Sequence, residues 1–399
     1  MIHLHRPGLI SPLGNGTAAT LATLYASAAQ PLTEEDGWLP NRRLTVGRCP
    51  AHDWQPLPAG LPPEHHTANN HLLWQALCQI DDTIRAAIAR FGTARIAVVL
   101  GTSTSGGDAN HAALAAHAHG TPWAAAGFSV AKQLMSAPAD FTAAAYRLRG
   151  PACGISTACT SGARALISAA RLLNSGAADA VICGGVDTLS TLTMHGFAAL
   201  ELLSATRARP FSAARDGINI GEAATAFVAS REALNNDTQI LCGYGASSDA
   251  YHMSSPRPDG AGAAAAIRAA LNHACLAPAD IGWLNPHGTG TAQNDRMEAH
   301  AIAAILPRAA CTPTKALTGH TLAAAGALEA ALCWLVTSRR DNPGGRLPDA
   351  RCPAYDPALP PIHLADANSH FPAGRRLALS TSFAFGGNNT ALIIGETTS

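Results

Sequence analysis

The chain has 399 residues, of which 47% are hydrophobic and only 14% are charged. Globular domains average about 25% charged residues, so the composition excludes a disordered chain and favours a compact protein with part of its surface covered in an oligomer. The 27 basic and 27 acidic residues balance to zero net charge. This balance excludes a global attraction to nucleic acid or to an anionic membrane.

Membrane and targeting signals are not found in the sequence. No segment approaches the roughly 20 apolar residues of a membrane span, and the first residues lack the pattern of a signal peptide. The ten cysteines show no CxxC pair and no zinc-ligand spacing, which is typical of reduced thiols. We therefore expect a cytoplasmic protein without a metal site.

Short apolar runs that end in glycine or small polar residues predict buried strands leading into loops. In chain order they cover residues 95–100, 180–183 and 282–285. Alanine-rich helices are predicted over 162–174 and 323–337, and this alternation indicates parallel sheets covered on both faces. The proline-rich segments 31–66 and 341–361 are predicted to be irregular loops.

A weak internal repeat indicates two similar halves. Small polar residues followed by an alanine-rich helix occur at 157–166 and again at 318–327. Helices with such small side chains can lie close together between two sheets. We place the halves at 1–238, which carries the candidate nucleophile, and 239–399, which carries two candidate histidines and a lysine.

Cys159 is the candidate nucleophile. It lies where a short apolar stretch meets the small residues that open a helix, in Gly-Ile-Ser-Thr-Ala-Cys-Thr-Ser-Gly. The positive end of a helix dipole favours a thiolate, and small neighbours leave room for a substrate. Most free cysteines are core residues, so this position alone does not establish catalysis.

Two histidine segments strengthen the catalytic interpretation. His287 follows a predicted strand in a loop of glycine and threonine, and His320 precedes a helix, five residues after Lys315. Only Lys132 and Lys315 are lysines among the 27 basic residues, so a lysine retained here is a candidate for a role that arginine cannot fill. Together these residues form a candidate catalytic cluster.

These motifs resemble the β-ketoacyl-acyl-carrier-protein synthases of the thiolase superfamily, in their elongating Cys-His-His form. The likeness covers nearly the whole chain in the family's order, at 11–14, 101–107, 154–163, 209–217, 221–222, 285–295, 315–326 and 383–389. The resemblance implies an α/β protein with the thiolase-like, five-layered αβαβα fold made of two similar halves. It also implies an acyltransferase that needs no cofactor, because its substrate is carried on the phosphopantetheine of an acyl-carrier protein.

The implied reaction is the decarboxylative Claisen condensation that gives 3-oxoacyl-acyl-carrier protein. Cys159 would accept the acyl group, while His287 and His320 would act in malonyl decarboxylation and condensation. Two neutral imidazoles can donate hydrogen bonds to the oxygen of a developing enolate. Lys315 would be a nearby cation that disfavours imidazolium, and Glu329 is expected beside it.

The resemblance assigns further residues to the site. The backbone N–H groups of Cys159 and Phe385 would form the oxyanion hole, and the side chain of Phe385 would gate the acyl pocket. Thr289 and Thr291 would bind the phosphopantetheine arm. Arg209 falls where the family has a basic residue that docks the carrier protein.

Two acidic residues and one arginine near these motifs are expected to be structural. Asp295 and Glu298 would hold the loop of His287, and Arg215 would support the fold.

The chain departs from the family's pattern at several positions. Ala384 replaces a glycine and Asn388 a threonine in the gate motif, so the hinge of the gate is expected to be stiffer. Asp187 replaces a common glutamate. The start, residues 5–8, lacks the usual Thr-Gly, which makes the first strand uncertain.

Other members of the superfamily are the alternatives. A chain-length factor keeps the fold as a non-catalytic partner subunit but lacks the nucleophile, whereas Cys159 stands in an intact motif. Thiolases and initiating synthases lack the segment from Lys315 to His320, and the initiators have asparagine at the position of His320. Residues 101–107 and 185–201 resemble synthases of aryl-polyene pigment clusters more than housekeeping enzymes. Either a homodimer or a heterodimer with a related chain is expected.

Overall fold

The computed structural model describes residues 1–352 and 354–396. Its strands are β1 (His3–His5), β2 (Gly8–Ser11), β3 (Gly14–Asn15), β4 (Thr33–Leu39), β5 (Arg42–Val46), β6 (Ile96–Gly101), β7 (Ala152–Ile155), β8 (Ala180–Asp187), β9 (Ala223–Ser230), β10 (Thr238–Ser248), β11 (Trp283–Asn285), β12 (Ala310–Cys311), β13 (Leu377–Ala384) and β14 (Asn388–Gly395). Its α-helices are α1 (Thr17–Tyr25), α2 (Ala68–Cys78), α3 (Asp81–Phe91), α4 (His111–Ala118), α5 (Trp123–Ala126), α6 (Val130–Gln133), α7 (Ala137–Tyr146), α8 (Ser161–Asn174), α9 (Thr191–Ala199), α10 (Ala261–Ala274), α11 (Ala292–Ile305), α12 (Lys315–Thr318) and α13 (Ala325–Thr337).

The strand order repeats between the two halves of the chain. The first half runs β7-β6-β8-β9-β1 and the second β12-β11-β13-β14-β10. In each half the first three strands are parallel and the next pairs antiparallel. Strand β1 bonds to both β9 and β10 and so joins the halves. The two similar halves expected from the sequence are present, while the boundary at residue 238 stays a prediction.

Helices α8 and α13 pack against each other between the sheets of the two halves. Small residues permit this contact, because a Cβ added to Gly162 would lie 2.7 Å from the backbone nitrogen of Ala327. A Cβ on Gly326 would likewise lie 2.8 Å from the nitrogen of Ala163. Helices α2, α3 and α7 cover the first sheet and α10 the second, with α11 packed on α10. The result is the expected αβαβα layering.

The strands and central helices predicted from the sequence are present with small differences in their ends. The segment from Asp341 to Pro361 contains no helix or strand among its described residues, as expected, and Pro353 lies outside them. The prediction of a loop over 31–66 is wrong in part, because β4 and β5 form a hairpin there. Strand β1 does form, and Pro7 separates it from β2, which pairs farther along β9. None of the helices in the described residues is long and apolar enough to span a membrane.

Candidate active site

A pocket of about 420 Å³ lies where the two halves meet, beyond the carboxyl ends of their parallel strands. Ligands of open α/β sheets bind at such strand ends. Loops that follow β7, β11 and β13 carry Cys159, His287 and Phe385 into its lining, and His320 enters from the loop before α13. Each half therefore contributes to one pocket.

Cys159 lies two residues before α8, in a tight turn. Ala158 has a φ of 51°, in the left-handed region that non-glycine residues rarely occupy. Such strain is typical of functional sites. The turn places the thiol at the pocket, where Cys159 is only 8% exposed, and its Sγ is 2.9 Å from His320 Nε2.

The backbone around His320 determines its tautomer. The N–H of Leu322 donates to His320 Nδ1 at 3.2 Å, so Nδ1 must carry a lone pair. In the neutral ring the proton is then on Nε2, which faces the sulfur of Cys159. His320 is therefore a hydrogen-bond donor to the sulfur in the resting site and not a base that removes its proton.

Burial acts against the thiolate that the helix end favours at Cys159. Burial raises the pKa of Cys159 to about 12, although the charge of Lys315 acts in the opposite direction. Desolvation of the charged form outweighs the charge of Lys315. Cys159 is therefore a thiol near neutral pH.

His287 is held by its backbone beside His320. Its N–H donates to Glu298 Oε1 at 2.7 Å and to Thr381 Oγ1 at 3.1 Å. The two imidazole centroids are 5.2 Å apart in an edge-on arrangement. The Sγ of Cys159 and one ring nitrogen of each histidine lie within 4.8 Å of one another. One small reacting group can thus contact all three side chains.

Lys315 and Glu329 form a buried ion pair behind the histidines, through Lys315 Nζ and Glu329 Oε1. Burial raises the pKa of Glu329 to about 7, and Lys315 acts against this shift. Burial, followed by the charge of Lys315, lowers the pKa of both His287 and His320 well below the usual value. Both imidazoles are therefore neutral near pH 7.

Comparisons with known proteins agree with this geometry. The N-terminal domain of β-ketoacyl synthases matches residues 68–234, and the C-terminal domain of β-ketoacyl synthases matches residues 239–343. The 3-oxoacyl-[acyl-carrier-protein] synthase 2 of Vibrio harveyi is 32% identical over 77% of this chain and 76% of its own.

This chain belongs to the β-ketoacyl synthase family. Solved structures support the assignment. A chain of the complex between the ketosynthase ApeO and its chain length factor ApeC from Xenorhabdus doucetiae is 41% identical to the synthase. Its TM-score is 0.90, over 99% of this chain and 98% of that one. The ishigamide ketosynthase/chain length factor matches with a TM-score of 0.87 at 25% identity, over 100% and 99% of the two chains. The family and fold implied by the motifs are confirmed.

Thr289 and Thr291 of the synthase lie on the pocket wall. Their hydroxyls are 3.0 Å apart, so one donates to the other and further hydrogen-bonding capacity faces the pocket. Asp295 and Glu298 hold this loop from α11. Asp295 accepts the N–H of Gly290, and Glu298 accepts those of His287 and Gly288.

Phe385 is half-buried in the pocket wall, with its ring centroid 5.8 Å from that of Phe197 on α9. Ala384 has a φ of −120°, which any residue adopts, whereas Gly386 and Gly387 have φ values of 80° and 73°. The flexible points of this segment are therefore the two glycines after Phe385.

Three arginines near the pocket have different surroundings. Arg209 is exposed, with Asp216 of the pocket wall 3.9 Å away. Arg207 donates to the carbonyl of Ala316, and Arg215 is paired with Asp356 at 2.6 Å. Arg209 thus remains the one of the three with a side chain available to a partner.

Asp187 has a structural role that the sequence did not reveal. Its buried carboxylate accepts N–H groups from Ser103 and Thr104, the hydroxyl of Thr102 and the N–H of Ala323. The carboxylate thereby links the loop after β6 to the turn that follows His320. Only its replacement of a glutamate marked this position in the sequence.

Proposed function

We propose that the synthase condenses an acyl group held on Cys159 with a malonyl group on an acyl-carrier protein, with loss of carbon dioxide. The product is 3-oxoacyl-acyl-carrier protein. The observation that carries this proposal is the cluster of one thiol and two neutral imidazoles around the end of one pocket.

In the first half-reaction the sulfur of Cys159 attacks the thioester carbonyl of the acyl carrier. His320 Nε2–H supports the developing thiolate, and the backbone N–H groups of Cys159 and Phe385 receive the oxyanion. The C–S bond to phosphopantetheine breaks, and the proton of the thiol passes to that leaving sulfur. The step is a thioester exchange, with one thioester and one thiol among the reactants and one of each among the products.

In the second half-reaction the malonyl thioester enters, and its phosphopantetheine occupies the place that the first phosphopantetheine has left. His287 and His320 donate to its thioester oxygen, so that loss of carbon dioxide leaves a stabilised enolate. The enolate carbon attacks the acyl carbon on Cys159 and expels the thiolate, which takes up one proton. A neutral imidazole suits this step because it keeps one N–H group that can donate to the oxygen.

The residues that bind phosphopantetheine and the gating residue Phe385 complete the proposed site. Thr289, Thr291 and Phe385 line the same pocket. The two threonines would bind the phosphopantetheine there, and Phe385 would gate the space for the acyl chain. A chain-length factor would need none of this machinery. The intact Cys159 in contact with His320 therefore favours the catalytic subunit over that alternative.

We propose acyl-carrier protein and a second ketosynthase-like chain, identical or related, as partners. The relatives solved as ketosynthase with chain length factor support such a pair. Trp123 and Val130 support it too, since both are large apolar residues with about half or more of their surface exposed. The resemblance of residues 101–107 and 185–201 to aryl-polyene synthases favours polyene synthesis over housekeeping fatty-acid synthesis. The ten free cysteines favour the cytoplasm.

Reconstitution without added cofactors tests the reaction. Purified synthase, treated with a chelator, is expected to convert acyl- and malonyl-carrier proteins to the 3-oxoacyl product, because carbon dioxide release drives the step. Product is measured by mass spectrometry of the carrier. The chelator matters because a thiol and two imidazoles this close could also bind Zn²⁺. Activity that appears only with an added divalent ion would contradict the proposal.

Arg209→Glu tests electrostatic docking of the carrier. The acidic carrier is expected to lose a favourable contact, so its apparent KM rises several-fold, most strongly at low salt. Turnover of a small N-acetylcysteamine thioester should stay near the parent value. Arg85→Glu, on the exposed outer face of α3, is the control with the same change of charge. Equal losses with carrier and small thioester would assign Arg209 to the fold instead.

A further inference from the structure

The segment that carries Phe385, residues 384–389, is bonded to two other parts of the chain. The N–H of Gly386 donates to the carbonyl of Met253 at 2.7 Å, and the N–H of Asp249 donates to that of Gly387 at 2.9 Å. A third bond comes from elsewhere: Arg164 Nη2 donates to Asn388 Oδ1 at 3.1 Å. Arg164 is on the first turn of α8, the helix that begins beside Cys159.

Arg164 is in an unusual position for an arginine. Among the described residues it makes no ion pair, its Nε is buried without an acceptor, and the amide of Asn388 is its side-chain partner. Burial and the charge of Arg171 lower the pKa of its guanidinium. A partly buried cation with one neutral acceptor costs free energy, so its position is not explained by stability.

The acceptor is one of the residues that depart from the family's gate motif. Asn388 replaces threonine, and its amide oxygen extends one bond farther from the backbone than a threonine hydroxyl, which lets it meet Arg164. Asn388 directly follows Gly386 and Gly387, the flexible points of the segment. Asn388 begins β14, and pairing with Ser248 and Ala384 holds its backbone. The bond from Arg164 adds a side-chain connection at the end of the part that must move when Phe385 swings.

We propose that Arg164 is a positioning residue that, through Asn388, holds the Phe385 segment closed and sets how readily the gate opens. The inference rests on the proposed function, in which Phe385 gates the acyl pocket. Breaking the bond raises the open population. Acyl transfer to Cys159, which needs an open gate, then becomes faster, and more malonyl groups lose carbon dioxide without condensing.

Substitutions on both sides of the bond test the assignment. Arg164→Met and Asn388→Ala are each expected to raise the rate of acylation of Cys159 at least threefold, measured by intact mass with an acyl-carrier protein. The double variant should equal either single variant, because all three lack the same bond. Asn388→Asp, which creates an ion pair with Arg164, should slow acylation. Arg171→Met, on the exposed surface of the same helix, is the control and should match the parent.

Hydrogen exchange gives a second measurement that needs no substrate. The peptide containing residues 384–389 should exchange faster in Arg164→Met and Asn388→Ala, and at the parent rate in Arg171→Met. Additive effects in the double variant, or unchanged exchange in both single variants, would overturn the assignment. If the parent forms no acyl-enzyme, the proposed function fails, while exchange still decides whether the bond holds the segment. If Arg164→Met does not fold, the two Asn388 variants decide.

Discussion

The Cys159→Ala variant is expected to form no acyl-enzyme and to lose condensation by about 10⁴-fold or more, as when a catalytic nucleophile is removed from other enzymes. The reason is specific to this position. Cys159 is the cysteine whose sulfur contacts a histidine at the pocket end, so no other thiol can take over the acyl group. Intact-mass measurement after incubation with an acyl-carrier protein detects the adduct directly.

The control is Cys153→Ala, which removes an exposed thiol from β7 of the same half. It should acylate at the parent rate. The Cys159→Ala protein should keep the parent's thermal midpoint, since a small side chain is lost and α8 keeps its contacts. A covalent acyl adduct on Cys159→Ala would show that another residue is the nucleophile.

Lys315→Arg is expected to lose most condensation activity although the charge is kept. Lys315 is 2% exposed and its ammonium meets Glu329 inside the second half. A planar guanidinium is larger and needs several aligned acceptors, and this buried space offers a single carboxylate. We expect the arginine to displace His320, whose distance from the sulfur decides the first half-reaction. The rate of acylation of Cys159 measures that displacement.

Lys132→Arg provides a matched control, because Lys132 is the other lysine of the chain and makes no side-chain hydrogen bond or ion pair in the described residues. It should retain parent activity. Parent-level condensation by Lys315→Arg would show that only the charge at this position matters.

The pH profile separates the charge of Lys315 from its shape. In Lys315→Met with Glu329→Gln, one cause of the lowered histidine pKa values is gone, so those pKa values rise toward about 6.5. Protonation of His320 would place a proton on Nδ1 against the N–H of Leu322. The rate of acylation of Cys159, measured against pH, should therefore begin to fall at a higher pH in this variant than in the parent.

The motifs sufficed to predict three residues that line the pocket and a fourth, Lys315, that lies behind the histidines. Cys159, His287, His320 and Lys315 come from segments that are far apart in sequence, yet each follows or precedes an element whose end was visible in the pattern. The alternation of strands and alanine-rich helices gave the layers because those patterns are local. The sequence therefore contained the fold and the residues that lie together, whose roles stay predictions.

The remaining features depend on contacts between distant segments. The protonation of Cys159 is decided by how much protein surrounds its sulfur, which a helix-start pattern does not report. The bonds of Asp187 to Ala323 and of Arg164 to Asn388 join residues more than a hundred positions apart. Two features hid the hairpin at Thr33–Leu39 and Arg42–Val46 from the sequence pattern. Prolines lie on both sides of it, and its own residues alternate poorly between buried and exposed faces.

The glycine and alanine contact between α8 and α13 has a consequence for how the catalytic centre is made. Cys159 stands at the head of one of these helices, and His320 just ahead of the other. The spacing between sulfur and imidazole is therefore set by how closely two backbones approach, at Gly162 and Gly326. Neither half carries a working centre alone. The cluster of thiol and imidazoles forms where two halves of one chain dock, as a composite site forms between subunits.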